Sequence, residues 1–525
     1  MALILSLVQS GLAKASLLSF QSAMAAMAAL ASGVSLVFII YRIRTAYQMP
    51  RGIPGSLVSR LFFSYAEIMA VIGKFATFSI DSERKYGPMH FSQPKSISVS
   101  DPADIRSVMG SSKFVKHPYY RVMKFSGTNS LMSELDPEKV SQRKRMLGVF
   151  FNSAATAKME PLVLEHGIMN VKRLWDKAIE EGNGEVNYHQ TFNLVTFTVV
   201  SRLVFGRKIY SDDNALETVE WMSKTNLYIS IRAMLVLLPK PIFKLLTWPW
   251  EHLSDRVNKY IYDSIEMRKN PSPEDAGKGQ PMDVLQALVD CEDPDSKLKL
   301  TREEIHAEAL LSLVGGIDPT SFTLIWTFHH IMLNPECHKT LKKELRDKFP
   351  GTELITYKDL KGGQVPYLEA CLYEAMRLTP VPCIQFPRVC PMSQGFTLKG
   401  KHFPADTTVF TNIWGSHRSP LNWENPEKFE PMRFINNPKA KQSVFAFGYG
   451  IRLCLGKHLA MMNMLTLLAN IFRDYNIDFP SDYTIRGPDV LDENGNPKLM
   501  PSLEFLTLHP KYPERDCRIV VSKAN

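Results

Sequence analysis

A cysteine in a glycine-rich loop constrains this chain more than any other feature of its sequence. The loop reads Phe-Gly-Tyr-Gly-Ile-Arg-Leu-Cys-Leu-Gly from Phe447 to Gly456, and a helix is predicted to begin near Leu455. Its glycines lack a Cβ, so the backbone can turn tightly and lie close to a flat cofactor. The positive end of the helix and its free amides, beside the cation of Arg452, predict a lowered pKa for the Cys454 thiol. The loop therefore predicts a thiolate that binds a metal.

Three interpretations of Cys454 are open at this stage. A free cysteine buried as a small hydrophobe would suit the other six cysteines, but it leaves the glycines and the arginine of the loop unexplained. Cys454 and His458 are spaced as half of a zinc site, although zinc usually requires a second such pair. Axial ligation of a haem iron, known in enzymes that cleave O–O bonds, accounts for the whole loop.

The pattern F-G-x-G-x-R-x-C-x-G, followed by Ala460, resembles the cysteine loop of the cytochrome P-450 family. The resemblance implies that Cys454 is the axial ligand of a haem b iron, and that Phe447, Gly448 and Arg452 belong to the haem site. It also implies the family's fold, which is mainly α with a small β-region and forms one large helical domain around the haem.

Two motifs upstream of the loop strengthen the resemblance. Glu374-Ala-Met-Arg377 places a glutamate and an arginine one turn apart on a predicted helix, a pair that carries little information alone. The segment from Phe429 to Phe434 resembles the family's F-x-P-x-R-F. The resemblance implies that Glu374, Arg377 and Arg433 form a partly buried structural network beside the haem, where losing one partner would leave a charge unpaired.

Arg388 and Lys144 are predicted to contact the haem propionates. Arg388 occupies the place of the family's propionate-binding arginine, and a guanidinium suits a carboxylate. The second contact normally comes from an aromatic-x-x-x-basic pair on the helix predicted from Pro137 to Phe151. Val140 and Lys144 take those positions here, so the aromatic residue is missing.

A long apolar helix is predicted from Thr301 to Asn334. It begins with the capping box Thr-Arg-Glu-Glu, and beyond Ala309 it is apolar on nearly every side, which is typical of a buried helix. Pro319 lies inside the helix and cannot donate a hydrogen bond to the carbonyl of Gly315. We therefore expect a kink at this point.

Asp318 and Thr320 are the candidate catalytic residues of this helix. Their segment, Gly-Gly-Ile-Asp-Pro-Thr-Ser, resembles the family's oxygen-activating motif [A/G]-G-x-[D/E]-T-[T/S]. Pro319 replaces the threonine that helps to deliver protons, which leaves Asp318 as the acid. Thr320 lies one position further, about 100° around the helix.

The resemblance implies a haem-thiolate monooxygenase that inserts one atom of O₂ into a lipophilic substrate, such as a steroid, sterol, fatty acid, terpenoid or xenobiotic. The missing threonine keeps a peroxide-driven haem-thiolate enzyme and an isomerase open as alternatives. Two further alternatives are not enzymes: a haem-thiolate sensor or carrier, and a membrane protein without haem. The segment from Phe114 to Leu135 has no clear period and is predicted to be a loop. The resemblance implies that this loop faces the substrate, and a plain surface loop is the alternative.

The amino-terminal segment predicts a membrane anchor. No charged residue lies between Lys14 and Arg42, and this apolar stretch is long enough to cross a bilayer. Arginines follow it, so the positive-inside tendency places the bulk of the chain in the cytosol, with endoplasmic reticulum implied by the resemblance. A cleaved signal peptide is the alternative. The predicted division is residues 1–22 in the lumen, 23–41 across the membrane, 42–55 as a proline-rich hinge and 56–525 as the catalytic domain.

Composition and charge restrict the partners. Seven irregularly spaced cysteines indicate a reducing compartment, and the net charge of +9 suits an anionic membrane or an acidic protein. No basic run suggests nucleic acid binding. No G-x-G-x-x-G unit is present, so electrons from NADPH must come through a partner, for which the resemblance implies NADPH-cytochrome P-450 reductase and also cytochrome b5. Steering of the reductase, with a solvated rim as the alternative, is predicted from Lys439, Lys441, Lys457 and the cluster Arg143 to Arg145.

An apolar, tryptophan-bearing break is predicted at residues 237–250. Indole rings favour a membrane interface, so this segment either dips into the membrane or is packed against the protein. A single strand is predicted from Phe91 to Ser100, as part of the small β-region.

Overall fold

The computed structural model describes most of the chain beyond residue 31. The described residues are 32–61, 65–124, 127–206, 240–270, 283–384, 386–483 and 487–524, with single positions within 27–30 and 217–228. The predicted luminal segment and the first residues of the predicted anchor lie outside these ranges.

Helices dominate the described residues, which confirms the predicted fold class. The α-helices are α1 (residues 32–48), α2 (Leu57–Leu61), α3 (Tyr65–Val71), α4 (Phe75–Tyr86), α5 (Pro102–Gly110), α6 (Pro137–Phe151), α7 (Ser153–Val163), α8 (Met169–Glu181), α9 (Tyr188–Phe205), α10 (Lys240–Thr247), α11 (His252–Lys269), α12 (Val284–Asp290), α13 (Arg302–Leu333), α14 (Pro335–Lys348), α15 (Tyr357–Leu360), α16 (Pro366–Leu378), α17 (Ile413–Arg418), α18 (Pro438–Lys441), α19 (Lys457–Asp474) and α20 (Pro513–Asp516). Short 3₁₀ or π segments are Pro118–Met123, Leu164–Ile168, Trp248–Trp250, Pro431–Phe434 and Gly450–Arg452.

Helix α13 forms the centre of the core. Its predicted capping box is present, since Glu304 N donates to Thr301 Oγ1 (3.2 Å) and Thr301 N donates to the Glu304 carboxylate (3.0 Å). The helix ends at Leu333, one residue before the predicted boundary, and continues through Pro319. Among the described residues it is the one helix long and apolar enough to span a bilayer, but most of it is buried. Its apolar side chains therefore pack in the core of the protein.

Helix α9 packs along α13 through aromatic side chains. The rings of Tyr188 and Phe192 lie 4.8 and 5.5 Å from that of Phe328, and the Tyr188 hydroxyl is 3.0 Å from His329 Nδ1. These buried rings each contribute roughly 1.5–3 kcal/mol relative to an exposed side chain. The contact fixes α13 against the rest of the helical core.

The strands form four small sheets in the described residues. The strands are β1 (Met89–Gln93), β2 (Ser96–Val99), β3 (Val115–Lys116), β4 (Glu185–Asn187), β5 (Arg388–Val389), β6 (Phe396–Leu398), β7 (Lys401–Phe403), β8 (Thr408–Thr411), β9 (Tyr475–Asp478), β10 (Ser502–Glu504), β11 (Leu508–Pro510) and β12 (Arg518–Lys523). The largest sheet has the order β1-β2-β8-β5-β3, and the others are β10-β11, β4-β12-β9 and β6-β7. In the largest sheet, the antiparallel pairing of β3 with β5 sets Lys116 opposite Arg388.

Two local predictions are wrong in part. The single strand predicted from Phe91 to Ser100 is a hairpin, because Lys95 adopts a positive φ of 57° and turns the chain between β1 and β2. The segment from Phe114 to Leu135 is not wholly a loop. It contains β3 and a 3₁₀ helix, which tertiary pairing with β5 stabilises without any local period.

Candidate active site

The cysteine loop is a tight turn closed by its own backbone. Cys454 N donates to the carbonyl of Phe447 (2.9 Å), and Gly448 N donates to that of Phe445 (2.8 Å). Gly448 and Gly450 have φ of +74° and +56°, the left-handed region that glycine tolerates best. The glycines therefore decide the path that brings Cys454 to the start of α19.

A close approach to α5 also requires one of these glycines. A Cβ on Gly450 would lie 2.7 Å from the Cα of Gly110, the last residue of α5. Both positions lack a side chain, so the two backbones touch. This contact holds the loop against the largest sheet, since α5 follows β2 directly in the chain.

Cys454 is an exposed residue of the loop, but the protein around its sulfur still removes part of the water that a thiolate would need. Burial by the surrounding protein raises the pKa of the thiol, while the Gly456 N–H and the charges of Lys144 and Lys457 lower it by less. The predicted lowering of this pKa is therefore wrong for the chain alone, because desolvation outweighs the helix end. A metal ion at the sulfur would supply the positive charge that the thiolate needs.

Basic side chains converge beside the cysteine loop. Arg388 is buried, and its Nη1 donates to the Tyr120 hydroxyl (2.5 Å), whose ring also lies 5.7 Å from Lys116 Nζ. Lys144 Nζ donates to the carbonyl of Ile451 in the loop. Arg388 and Lys144, the two residues predicted to contact the haem propionates, therefore both belong to this group of basic side chains beside the cysteine loop.

Arg452 belongs to the same group, and the positive charges of its members repel one another. The four members of this cation cluster are Lys116, Lys144, Arg388 and Arg452. Burial, then Arg452, Arg388 and Lys144, lower the pKa of Lys116 to about 7. The pKa of Arg452 is lowered by burial and by Arg388, and that of Lys144 is lowered by burial, Arg452 and Arg388. Within the described part of the chain, the Nε atoms of Arg388 and Arg452 have no hydrogen-bond partner. The cluster is therefore a site for an anionic group.

Glu374, Arg377 and Arg433 form the predicted network. Glu374 and Arg377 are completely buried and joined by two hydrogen bonds of 2.7 and 2.9 Å, and Arg433 Nε donates to Glu374 Oε1 (3.0 Å). Arg377 also donates to the carbonyls of His417, Pro426 and Lys428 (2.6–3.1 Å). The network is more deeply buried than predicted, and it ties α16 to the chain that leads into the cysteine loop.

One stripe of α13 is open although the helix is otherwise buried. The side chains of this stripe are wholly or partly exposed, and no atom lies within 4 Å of where a Cβ on Gly315 would stand. The stripe consists of Leu311, Ser312, Gly315, Gly316, Pro319 and Thr323. Asp318 and Thr320 are buried on other sides of the helix. Pro319, rather than Thr320, therefore takes the open position.

Sequence reasoning missed Lys116 and Tyr120 at this site, and it misplaced Arg143. Lys116 reaches Arg388 through strand pairing between segments 272 positions apart, for which the sequence carried no signal. Arg143 was predicted to lie on a basic surface that steers a partner. It is buried and paired with Glu304 (2.7 Å) and Glu308 (2.8 Å), so that part of the prediction is wrong.

Comparison with known proteins gives the family. The family model for cytochrome P450 matches residues 62–496. The chain belongs to the cytochrome P450 family. The cytochrome P450 monooxygenases helB1, helB2 and helB3 of Aspergillus fumigatus are 36%, 35% and 32% identical to it, over 92%, 90% and 93% of this chain and 84%, 94% and 98% of theirs. The fold matches the crystal structure of the cytochrome P450DA haem domain with a TM-score of 0.70 at 18% identity, covering 86% of this chain and 94% of that one.

Membership of the cytochrome P450 family makes the protein a haem-thiolate monooxygenase. The residues present fit a haem. Cys454 is an exposed residue on a loop whose glycines carry no side chain to obstruct a flat ring, and the four-cation cluster suits the two carboxylates of the porphyrin. Among the described residues there is no group of three or more His, Cys, Asp or Glu arranged to hold a metal ion, and so the zinc interpretation of Cys454 and His458 gains no further ligand there.

Proposed function

We propose that this cytochrome P450 hydroxylates a lipophilic molecule, with electrons supplied from NADPH by NADPH-cytochrome P450 reductase and, as a second donor, cytochrome b5. The observation that carries the proposal is the pairing of an exposed Cys454 with the cation cluster of Lys116, Lys144, Arg388 and Arg452. Steroids, sterols, fatty acids, terpenoids and xenobiotics are the candidate substrate classes.

In this proposal Cys454 ligates the haem iron, and the cation cluster holds the two carboxylates. When bound, the haem supplies the chemistry that activates O₂ and oxidises a C–H bond. The open stripe of α13 has no charged side chain, and this supports a lipophilic substrate beside it. Pro319 removes one N–H donor from the stripe, so the carbonyl of Gly315 lacks its usual helical partner and is available to accept a hydrogen bond from water.

Proton delivery remains assigned to Asp318 and Thr320 as a proposal. Both are sequence neighbours of Pro319 but are buried, so neither faces the stripe directly, and the proposed route needs a water molecule at the stripe. The kink predicted at Pro319 would open this route, because the proline ring crowds the carbonyl four residues earlier.

The surface that we propose for the reductase is smaller than the sequence indicated. Lys439 is exposed, whereas Lys441 pairs with Glu369 (3.0 Å) and Lys457 lies over the Phe447 ring at 5.7 Å. With Arg143 buried, steering falls to Lys439 and the partly exposed lysines beside the loop.

We also propose attachment to the endoplasmic reticulum membrane with the catalytic domain in the cytosol. Helix α1 exposes a run of large apolar side chains from Val34 to Tyr41. A second exposed apolar patch lies at Leu245, Trp248 and Trp250, within the segment for which membrane contact or packing against the protein was predicted. Indole rings are at home at a membrane interface, which supports this part of the proposal. Flotation with phosphatidylcholine vesicles of protein truncated before residue 56, with and without Trp248→Ser, measures the second contact.

The deciding experiment is the difference spectrum of the reduced, CO-bound protein, compared with Cys454→Ser. A strongly red-shifted Soret band that the variant loses supports thiolate ligation. A band typical of imidazole-ligated haem would overturn the assignment of Cys454. Product formation from candidate lipophiles with NADPH and reductase, compared with product formation from peroxide alone, then separates the proposed electron supply from the peroxide-driven alternative.

A further inference from the structure

A short loop lies between the cation cluster and α13. This loop, residues 129–136, is organised around Glu134, whose carboxylate accepts from the N–H groups of Leu135 (2.9 Å) and Asp136 (3.1 Å) and from Asn129 Nδ2 (3.3 Å). We call it the 129–136 loop. It leads directly into α6, and the side chain of Leu131 packs against the core cluster formed around α13.

Lys116 holds the loop from the side of the cation cluster. Its buried ammonium group donates to the carbonyls of Leu131 (2.6 Å), Met132 (3.1 Å) and Glu134 (3.0 Å). An ammonium group has three donors, and these contacts use all of them. Lys116 is therefore not a hydrogen-bond ligand of an anion in this arrangement, although its charge lies within the cluster.

Glu308 holds the same loop from the side of α13. Its carboxylate, almost fully buried, accepts from the Leu131 N–H (2.6 Å) and from Arg143 Nη1 (2.8 Å). Arg143 Nη1 also donates to the carbonyl of Asn129. Leu131 is thus bound on both sides, by its carbonyl to Lys116 and by its N–H to Glu308.

We propose that Lys116 and Glu308 are positioning residues that fix the 129–136 loop between the haem-carboxylate cations and the oxygen-activating helix. The charge of Lys116 is repelled by three neighbouring cations, and the haem carboxylates would relieve that repulsion. Haem binding therefore strengthens the three bonds that order the loop, and the ordered loop in turn favours retention of haem. The inference rests on the haem site of the proposed function.

Two measurements on the haem-loaded protein test this role. The first is hydrogen exchange of the peptide that covers residues 129–136, and the second is the rate of haem transfer to excess apomyoglobin. Lys116→Met removes three hydrogen bonds to the loop and should accelerate both by at least about tenfold, the change that corresponds to losing even one hydrogen bond to a charged group. Lys113→Met, an exposed lysine three residues away, is the matched control and should change neither.

Variants of Glu308 test the opposite end of the loop. Glu308→Ala should accelerate loop exchange and haem transfer, whereas Glu308→Gln should do so less, because an amide oxygen can still accept from the Leu131 N–H. Because Glu308 also lies on α13, a change in haem transfer counts as an effect of the loop only where exchange in residues 129–136 rises with it and exchange in α13 does not.

Several results would overturn the proposal. Faster haem transfer in Lys116→Met without faster loop exchange would make Lys116 a counter-charge only. Faster loop exchange with unchanged haem transfer would remove the link to haem. An equal rise of exchange in α16 would show a loss of global stability instead of a local role. The CO-bound spectrum of the wild type separates these results from failure of the proposed function, since that spectrum reports Cys454 ligation independently of the loop.

Discussion

Removing the charge of Glu374 is the sharpest test of the buried network. Its carboxylate accepts four hydrogen bonds: two from Arg377, one from Arg433 Nε and one from the Glu430 N–H (2.8 Å). Glu374→Gln keeps the shape of the side chain but places an amide NH₂ against one guanidinium. Arg377, which is completely buried, then loses its only ion-pair partner among the described residues.

The expected cost is about 3–5 kcal/mol of the free energy of unfolding, the range for breaking a buried ion pair by removing one partner. An exposed pair gives the comparison. Lys343 and Asp347 form a salt bridge on α14 with side chains 76% and 64% exposed, so Asp347→Asn should cost about 0–1 kcal/mol. Since a domain is typically stable by about 5–15 kcal/mol, only the buried substitution threatens folding.

Urea unfolding of the haem-loaded proteins, followed by far-ultraviolet circular dichroism and by Soret absorbance, measures this difference. Arg377→Lys is a useful third variant, because it keeps the charge but lacks the planar fork that reaches Glu374 and three carbonyls. It should fall between the wild type and Glu374→Gln. If Glu374→Gln costs no more than Asp347→Asn, the buried network contributes no more to the stability of the fold than an exposed ion pair.

Three further predictions concern single positions. Gly450→Ala should lower the free energy of unfolding by about 1–3 kcal/mol, because a Cβ at this positive φ would be strained and would meet α5. Gly351→Ala, where a Cβ would stand in open space, is the control and should not lower it. Equal unfolding midpoints of the two variants in urea would contradict this prediction. Pro319→Ala should raise the free energy of unfolding by about 1–3 kcal/mol by restoring a helical N–H, and a fall would show that neighbouring contacts require proline. Burial raises the pKa of Glu308 from 4.5 to about 7 against the opposing effect of Arg143, so the folded state binds this proton more tightly and stability should fall as pH rises between those values. The thermal midpoint of Glu308→Gln should depend less on pH over this window than that of the wild type, and an equal or steeper dependence would refute the assignment.

Local chemistry made much of the site predictable. The glycines around Cys454, the capping box at Thr301 and the motif of Glu374 and Arg377 each lie within a few residues, so their sequence spacing translates directly into turns and helix faces. The order of these motifs along the chain was sufficient to predict the family and the fold class, and comparison with known proteins confirms both.

Long-range contacts decided what the sequence could not. Arg143, Lys144 and Arg145 are consecutive, yet tertiary packing buries Arg143 on Glu308, directs Lys144 to the cysteine loop and leaves Arg145 at the surface beside Asp293. The pKa of a thiol depends on the balance of burial and charge around it, which sequence spacing does not fix.

By itself the sequence predicted Cys454 as the ligand and located the long apolar helix and the Glu374–Arg377 motif, because these depend on neighbouring residues and the helical period. Only the tertiary structure decided that Lys116 joins Arg388, that the 129–136 loop is held from both sides, and that Pro319 takes the open position on α13. Those outcomes depend on strand pairing and burial between segments that are distant in sequence. The free energy of each such contact depends on the protein that surrounds it, which local sequence spacing does not fix.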